Sequence, residues 1–556
     1  MKQRFPALLL LAMLHGHALG IEVTADSEEQ RRRAQREMEE RQTLQQAPDI
    51  RLPGAAAVGR ETDELPAERP CFQVDHIRLE GERLDAFAWA KDYLNGYAGQ
   101  CIGHNGINLI VKRLSNRIID KGYITTRVGI PEQDLSHGEL KLVLVPGVIR
   151  AIRITDPDQH GSWETAFPMR PGDLLNLRDI EQGLEQMKRV PSQDVDVNIV
   201  PGETPGESDI VLSVKQGKSW KIAASLDDSG ATSTGRLQGA LNFSYDSPLG
   251  LNDLLSFGIN NNVQGNDELR GTEGNSISYS IPWGNWTLAL SGSAYQYHQT
   301  VKGINQSFIS SGDTSTREIK LQRMLLRNQN SKTSAQFRIS KRYSKSYIED
   351  AEIRSQRRNT TAAEIGLIHR QYIGPAQIDL TLAHREGVPW LNGQKDAAGL
   401  PLGSPTFGYR MQTLDIATML PFKLGSQSMR WLGTFRGQSS SSPLYATEFF
   451  SIGNRWTVRG FDGDQTLAAE DGWYLRNEIE TSLGQSGQAI YFGIDHGRVS
   501  GPNTALLPDN RLTGAVLGLR GGGKGFTYDF FAGAPMKRPE GFPTSIATGF
   551  QLAYQY

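Results

Sequence analysis

The stretch Thr457-Val458-Arg459-Gly460-Phe461-Asp462-Gly463-Asp464 carries the most distinctive chemistry of this 556-residue chain. An arginine stands before a glycine and a phenylalanine, and a Gly/Asp cluster follows. A guanidinium offers a planar fork of donors that matches a carboxylate. Such a pair, shielded from water, fixes a loop in place. On an open surface an Arg-Gly pair is an ordinary turn. Here the residues before it (Glu448 to Trp456) and after it (Gly472 to Glu478) both read as membrane strands. The loop is therefore positioned to fold inward and carry Arg459 into a polar lumen.

Other chemical patterns fall away. Gly518 to Gly525 reads G-L-R-G-G-G-K-G, close to a phosphate-binding loop, but the closing Ser/Thr is missing and no helix pattern follows. It reads as a turn. HExxH, GxSxG and metal-spaced His/Cys sets are absent, and the 10 histidines are scattered. Neither an enzyme nor a cofactor is expected. A net charge of -2 argues against nucleic acid as a partner. The two cysteines, Cys71 and Cys101, read as a disulfide in an exported chain. It closes a loop of about 30 residues, worth ~3–4 kcal/mol in the chain-entropy picture.

Export is expected from residues 1–20. Lys2 and Arg4 form a basic start, Ala7 to Leu14 an apolar core, and Ala18-Leu19-Gly20 a small-x-small cleavage site. Residues 21–47 follow, charged almost all round from Asp26 onward, as suits a helix in a wet cavity or in open solvent. Residues 48–70, with Pro48, Pro53, Pro66 and Pro70, read as a linker that reaches on the order of 70 Å when extended. Residues 71–147 give a β-α-α-β-β order. The strands are Phe72 to Leu79, Tyr123 to Val128 and Leu140 to Val145. The helices are Phe87 to Tyr97 and Ile107 to Lys121, with Leu109, Ile110, Leu114, Ile118 and Ile119 at helical spacing and Gly122 as the stop. Residues 148–217 repeat that order around a helix from Leu177 to Met187.

From Lys218 the period changes to two. Trp220, Ile222, Ala224 and Leu226 alternate with Lys221, Ala223 and Ser225. In the last segment Ile546, Phe550, Leu552, Tyr554 and Tyr556 share one face, and Ala547, Gly549, Gln551, Ala553 and Gln555 share the other. One apolar face and one small or polar face mark a lipid-exposed barrel strand, which explains a mean hydropathy of -0.43 in a membrane protein. Residues 218–556 have room for 16 strands at about 21 residues per strand and loop. If Tyr556 is periplasmic, the short turn 521–525 is periplasmic too. The longer segments 500–510 and 535–545 are then outside, and the loop holding Arg459 starts outside.

Five segments in order resemble the outer-membrane transporters of two-partner secretion, the ShlB/FhaC/HecB hemolysin secretion/activation family. They are GYITTRVGIPEQDLSHGELKLVLVPG (122–147), LDDSGATSTGRLQGALNFSYDSPLGLNDLL (226–255), FFSIGNRWTVRGFDGD (449–464), GWYLRNEIE (472–480) and YFGIDHGRV (491–499). The resemblance implies a mostly β fold: an N-terminal plug helix, two periplasmic α+β POTRA domains (71–147 and 148–217) and a 16-stranded transmembrane barrel. It implies a partner exoprotein (a hemolysin, adhesin or contact-dependent toxin) captured unfolded by the POTRA pair. It also implies a monomer in outer-membrane lipid of a Gram-negative cell. An outer-membrane protein insertase of the same superfamily is the alternative, and a barrel enzyme the alternative of another class. Val458 to Phe461 match the family's loop tip, whose arginine is expected to bond a strand aspartate; Asp495 fits. Ile490, Phe492 and Ile494 alternate onto the lipid face, so Tyr491, Gly493 and Asp495 face the lumen, with Gly493 leaving room for close backbone approach. Asn454 departs from the family's usual glycine.

Overall fold

The computed structural model describes residues 27–32, 35, 49–52, 64–156, 161–264, 269–303 and 305–556. The leader expected at 1–20 lies outside the described residues, as do parts of the expected plug and linker. Residues 27–32 and 35 are helical.

The first unit buries one apolar core in which Ile107, Ile110, Leu114 and Ile118 of the helix His104–Asp120 face the sheet. The buried stripe uses Ile107 rather than Leu109 and Ile119, because only the former follows the sheet-facing side. Gly122 ends this helix in a paired cap: its N–H bonds Ile119 O at 2.8 Å, and Tyr123 N–H bonds Ile118 O at 3.1 Å. That cap, and a further turn bond from Thr126 N–H to Tyr123 O, use up the segment expected to open a strand; only Arg127–Gly129 pairs. The expected opening strand is likewise two. Phe72–Val74 pairs with Gln100–Ile102, and His76–Gly81 pairs in parallel with Glu139–Val145. The break falls at Asp75, where the amides of Asp75 and His76 both bond Gly138 O.

The second unit keeps the β-α-α-β-β order, with a short helix Trp163–Ala166 that no sequence signal marked. Its long helix, Leu177–Lys188, is capped by Asn176, whose side chain accepts from Arg178 N–H. Both faces of this helix are covered. Ile180, Leu184 and Met187 pack on the unit's own sheet. Glu181, Gln182, Glu185 and Gln186 meet the periplasmic rim of the barrel. There Arg327 donates to Glu181 at 3.1 Å and to Glu185 at 2.8 Å, and Lys332 donates to Glu185 at 3.0 Å. The linker residues 49–52 are clamped in the same seam. The amides of Ile50 and Leu52 bond Glu185 and Glu181, both at 2.9 Å, and Asp49 accepts from Lys332 at 2.9 Å. Burial opposes ionisation of Glu185, but Arg327, Lys332 and the Ile50 amide outweigh it and hold the carboxyl below its ordinary value.

From Trp220 onward, 16 long antiparallel strands close into a barrel, with a two-residue strand, Ala351–Glu352, extending the outer end of one hairpin. The first strand, Trp220–Asp227, pairs with the last, Ala547–Gln555, over five residues from Gln551↔Asp227 to Gln555↔Ala223. Outward side chains such as Phe243, Ile277, Ile365, Leu382 and Phe492 are exposed, as a lipid-facing belt requires. The turns at the end that adjoins the second unit are tight: Trp283 pairs with Trp286, Ile373 with Ala376, Leu424 with Gln427 and Gly523 with Phe526.

A candidate functional site in the barrel lumen

Three adjacent strands form the wall: Asp471–Ser482, Gln488–Ser500 and Arg511–Gly523. Alternation turns Glu478 and Glu480, then Tyr491, Gly493 and Asp495, then Val516, Gly518 and Arg520, toward the interior. The connection 441–470, which leads into the first of them, folds down into the lumen. It is stiffened by its own ribbon, Phe450–Ile452 paired with Leu467–Ala469. A small apolar core of Phe450, Ile452, Val458, Phe461 and Leu467 rests on Tyr474, Val499 and Leu512 of the wall. Val458 is fully buried, and Phe461 meets Phe542 of an outer loop edge-on at 6.3 Å between ring centres.

Arg459 is buried at the tip, 4% exposed, and Asp495 is at 0%. The guanidinium grips Asp495 in a fork, Nε to Oδ2 at 2.7 Å and Nη2 to Oδ1 at 2.9 Å, and the Arg459 amide donates to the same carboxylate at 3.0 Å. Its third nitrogen reaches Glu478 Oε2 at 2.5 Å. Behind this, Arg520 bridges Glu478 at 2.7 Å and Glu480 at 3.3 Å, and stacks on the Tyr491 ring 3.8 Å away. Tyr491 donates to Asp529 at 2.7 Å.

Gly493 makes its room for the guanidinium rather than for the loop backbone: a Cβ there comes within 2.7 Å of Arg459 Nη2. The backbone approach occurs one strand over, where a Cβ on Gly514 would stand 1.8 Å from Arg459 O. Gly460 itself holds a φ of +106°. Glu478, Arg520 and Gly514 escaped the sequence reading. The parity that singled out Asp495 also turns Glu478 and Arg520 inward, but parity alone does not say which strands the loop tip touches.

Asn454 has a specific job. Its Oδ1 accepts from Trp456 N–H at 3.0 Å and from the Thr457 hydroxyl at 3.1 Å, shaping the entry to the tip, and its Nδ2 donates to Gln35 at 2.6 Å. Gln35 belongs to the N-terminal helical segment, which lies within the lumen. Arg31 donates to Ala446 O at 2.7 Å, Arg32 to Gly463 O at 2.5 Å, and Tyr295 to Glu29 at 2.5 Å. Far from this site, in the first periplasmic unit, Cys71 and Cys101 are joined, the latter in register with Gln73 on the neighbouring strand.

A closed barrel with an inward loop, a luminal helix and two small α+β units beneath it defines an outer-membrane protein-translocation pore. Residues 206–521 match the family described as haemolysin secretion/activation protein ShlB/FhaC/HecB. Residues 72–147 match the ShlB-type POTRA domain and 148–201 a further POTRA domain. The chain is 45% identical to the outer membrane transporter CdiB-2 of Burkholderia pseudomallei (strain 1026b), over 95% of this chain and 94% of that protein. It is 30% identical to the hemolysin transporter protein ShlB of Serratia marcescens, over 78% and 77%. The solved structure of CdiB from Acinetobacter baumannii superposes with a TM-score of 0.87 at 28% identity, covering 97% of this chain and all of that one. The chain belongs to the ShlB/FhaC/HecB family. It is an outer-membrane transporter of two-partner secretion, which decides for transport against the insertase alternative.

Proposed function

We propose that the chain carries one large exoprotein, taken up unfolded by its two periplasmic units, through the lumen to the cell surface. The observation behind this is how the lumen is filled. Arg459 is fixed between two carboxylates of the wall by short charged bonds, whereas the N-terminal helical segment is held by hydrogen bonds to carbonyls and side chains and by a loose ion pair from Arg32 to Asp464 at 3.9 Å. Contacts of the second kind exchange for water at little net cost. The segment therefore acts as a plug that occupies the pore at rest and leaves during transport, while the loop stays anchored.

Recognition falls to the sheet edges of the periplasmic units. The strand Gln193–Pro201 is an edge of the second sheet and His76–Gly81 an edge of the first, and an extended peptide adds to such an edge by backbone pairing. The likeness to CdiB transporters over nearly the whole of both chains favours the class of exoprotein that those transporters carry. One chain suffices as a monomer in outer-membrane lipid, since its own strands close the wall.

Two experiments test this. A chain lacking residues 71–217 is expected to insert and to secrete nothing; secretion by that chain would sink the recognition role. Deleting residues 21–47 is expected to raise single-channel conductance in planar bilayers, and an unchanged conductance counts against the plug.

A further inference from the structure

Two outward pairs at the barrel rim set opposite charges across neighbouring strands. On the outward face Lys345 stands opposite Asp313, and Arg410 stands opposite Glu386 with 3.1 Å between them. One outward region breaks this pattern. Arg498, near the outer end of Gln488–Ser500, is directly opposite Arg511 at the outer end of Arg511–Gly523. Two residues along, Thr513 is opposite Lys537 of the strand Phe526–Lys537. A bulge between Thr513 and Gly514 brings Lys537 into that position instead of Met536. All three cations are exposed, and among the described residues none makes an ion pair. Like charges directly opposite each other destabilise a strand pair unless an anion lies between them.

The height of this patch identifies the anion. Directly below it on the same faces stand Ile494, Leu517 and Phe530, each 42–57% exposed and part of the lipid belt. Beside it lie Trp473, opposite Arg498, and His496, whose ring is 5.4 Å from the indole. Tryptophan at this level marks the boundary between hydrocarbon and headgroups. The patch therefore meets the headgroup layer of the outer leaflet, which in a Gram-negative outer membrane consists of phosphorylated glycolipid. Another outward cation pair, Arg317 opposite Lys341, lacks this character because the lysine nitrogen is covered.

We propose that Arg498, Arg511 and Lys537 bind the phosphate groups of the outer-leaflet glycolipid. Arginine forks onto phosphate, and clustered basic side chains beside an apolar belt recognise anionic headgroups. The assignment rests on the outer-membrane placement of the barrel. It places a lipid contact on the outside of the strand that holds Asp495 within, three residues away, so that a bound phosphate ties that strand to the next two strands around the wall.

The test uses full-length protein in detergent, freed of lipid, and the triple variant Arg498→Gln/Arg511→Gln/Lys537→Gln. Heat-modifiable migration and recovery from the outer-membrane fraction are measured for both, so that a failure of membrane placement is seen separately from a failure of the site. The probe is diphosphorylated lipid A, with its dephosphorylated form, phosphatidylglycerol and inorganic phosphate as comparisons, followed by native mass spectrometry. The expected result is at least tenfold weaker retention of diphosphorylated lipid A by the variant, and a similar loss for the parent when the phosphates are removed. Equal retention in either comparison overturns the proposal. Equal affinity for phosphatidylglycerol overturns the outer-leaflet assignment, and displacement by equimolar inorganic phosphate overturns the lipid assignment. Weaker binding of an acidic cargo segment by the variant, with lipid A binding unchanged, moves the patch to cargo contact.

Discussion

Two arginines in this molecule are buried between pairs of carboxylates, and they hold different things. Arg459 reaches across from a loop and closes on Asp495 and Glu478 of the barrel wall. Arg327 reaches down from the barrel rim and closes on Glu181 and Glu185 of the second periplasmic unit. Around Arg459 the partners lie on two adjacent strands, and the fork is completed by the loop's own amide. Around Arg327 the partners come from a helix, with Lys332 and the linker amides sharing the same carboxylates. The first cluster fastens a loop to two strands of the wall. The second fastens together three separate pieces and so sets how the periplasmic unit sits beneath the pore.

Breaking the first cluster has the larger consequence. Arg459→Ala leaves the buried Asp495 carboxylate without its cation, while Glu478 keeps only Arg520, a loss on the order of 3–5 kcal/mol to the docked loop. Secretion is expected to vanish while insertion and heat-modifiable folding persist. Asp495→Ala does the same less severely, because Glu478 still holds one nitrogen. A cysteine pair, Arg459→Cys with Asp495→Cys in a chain whose Cys71 and Cys101 are replaced, is expected to cross-link under oxidation. Failure to do so with both thiols reactive would falsify the docked loop.

Arg327→Ala sharpens the contrast. Lys332 remains beside Glu185, so the cost is smaller, about 2–3 kcal/mol, and falls on the docking of the second unit. Faster protease cleavage in the linker is expected, with single-channel conductance unchanged. A conductance change as large as that of Arg459→Ala would show that the two clusters act as one. Replacing Cys71 and Cys101 with serine tests a third region. Its expected cost, about 3–4 kcal/mol, falls on the first unit alone, which becomes protease-sensitive while barrel migration stays the same.

Asp179 adds a pH dependence at the second cluster. Burial, with Asp173 nearby, pushes its carboxyl up to about 6 despite Arg327. The folded state therefore binds this proton more tightly than the unfolded chain does. Its contribution is greatest at acid pH and is lost as pH rises from about 4 to about 6. Asp179→Asn should flatten that decline and raise the thermal midpoint at pH 7, by an amount equivalent to about 3 kcal/mol. The smallest effect belongs to Asn454→Gly. Losing the bond to Gln35 costs the plug about 1 kcal/mol, seen as more frequent opening events in bilayers.

Much of this was legible in the amino-acid sequence because it depends on local periodicity. Alternation marks the first and last barrel strands and assigns Asp495 and its neighbours to the lumen, since a strand's two faces are set by a period of two. Gly122 announces the end of its helix for an equally local reason. The acidic and amide face of Leu177–Lys188 looked like any solvated helix face, and its burial required the barrel rim to be brought against it. Gly514 looked like one more strand glycine until Arg459 O came within reach of its Cβ position. The sequence by itself determined the order of the units, the inward loop and the inward aspartate, because each follows from neighbours along the chain. The tertiary structure alone decided that Glu478 completes the arginine's shell, that Arg327 holds the second unit, and that Asn454 touches the N-terminal helical segment. Those contacts join residues between 19 and 419 positions apart, and no period along the chain records them.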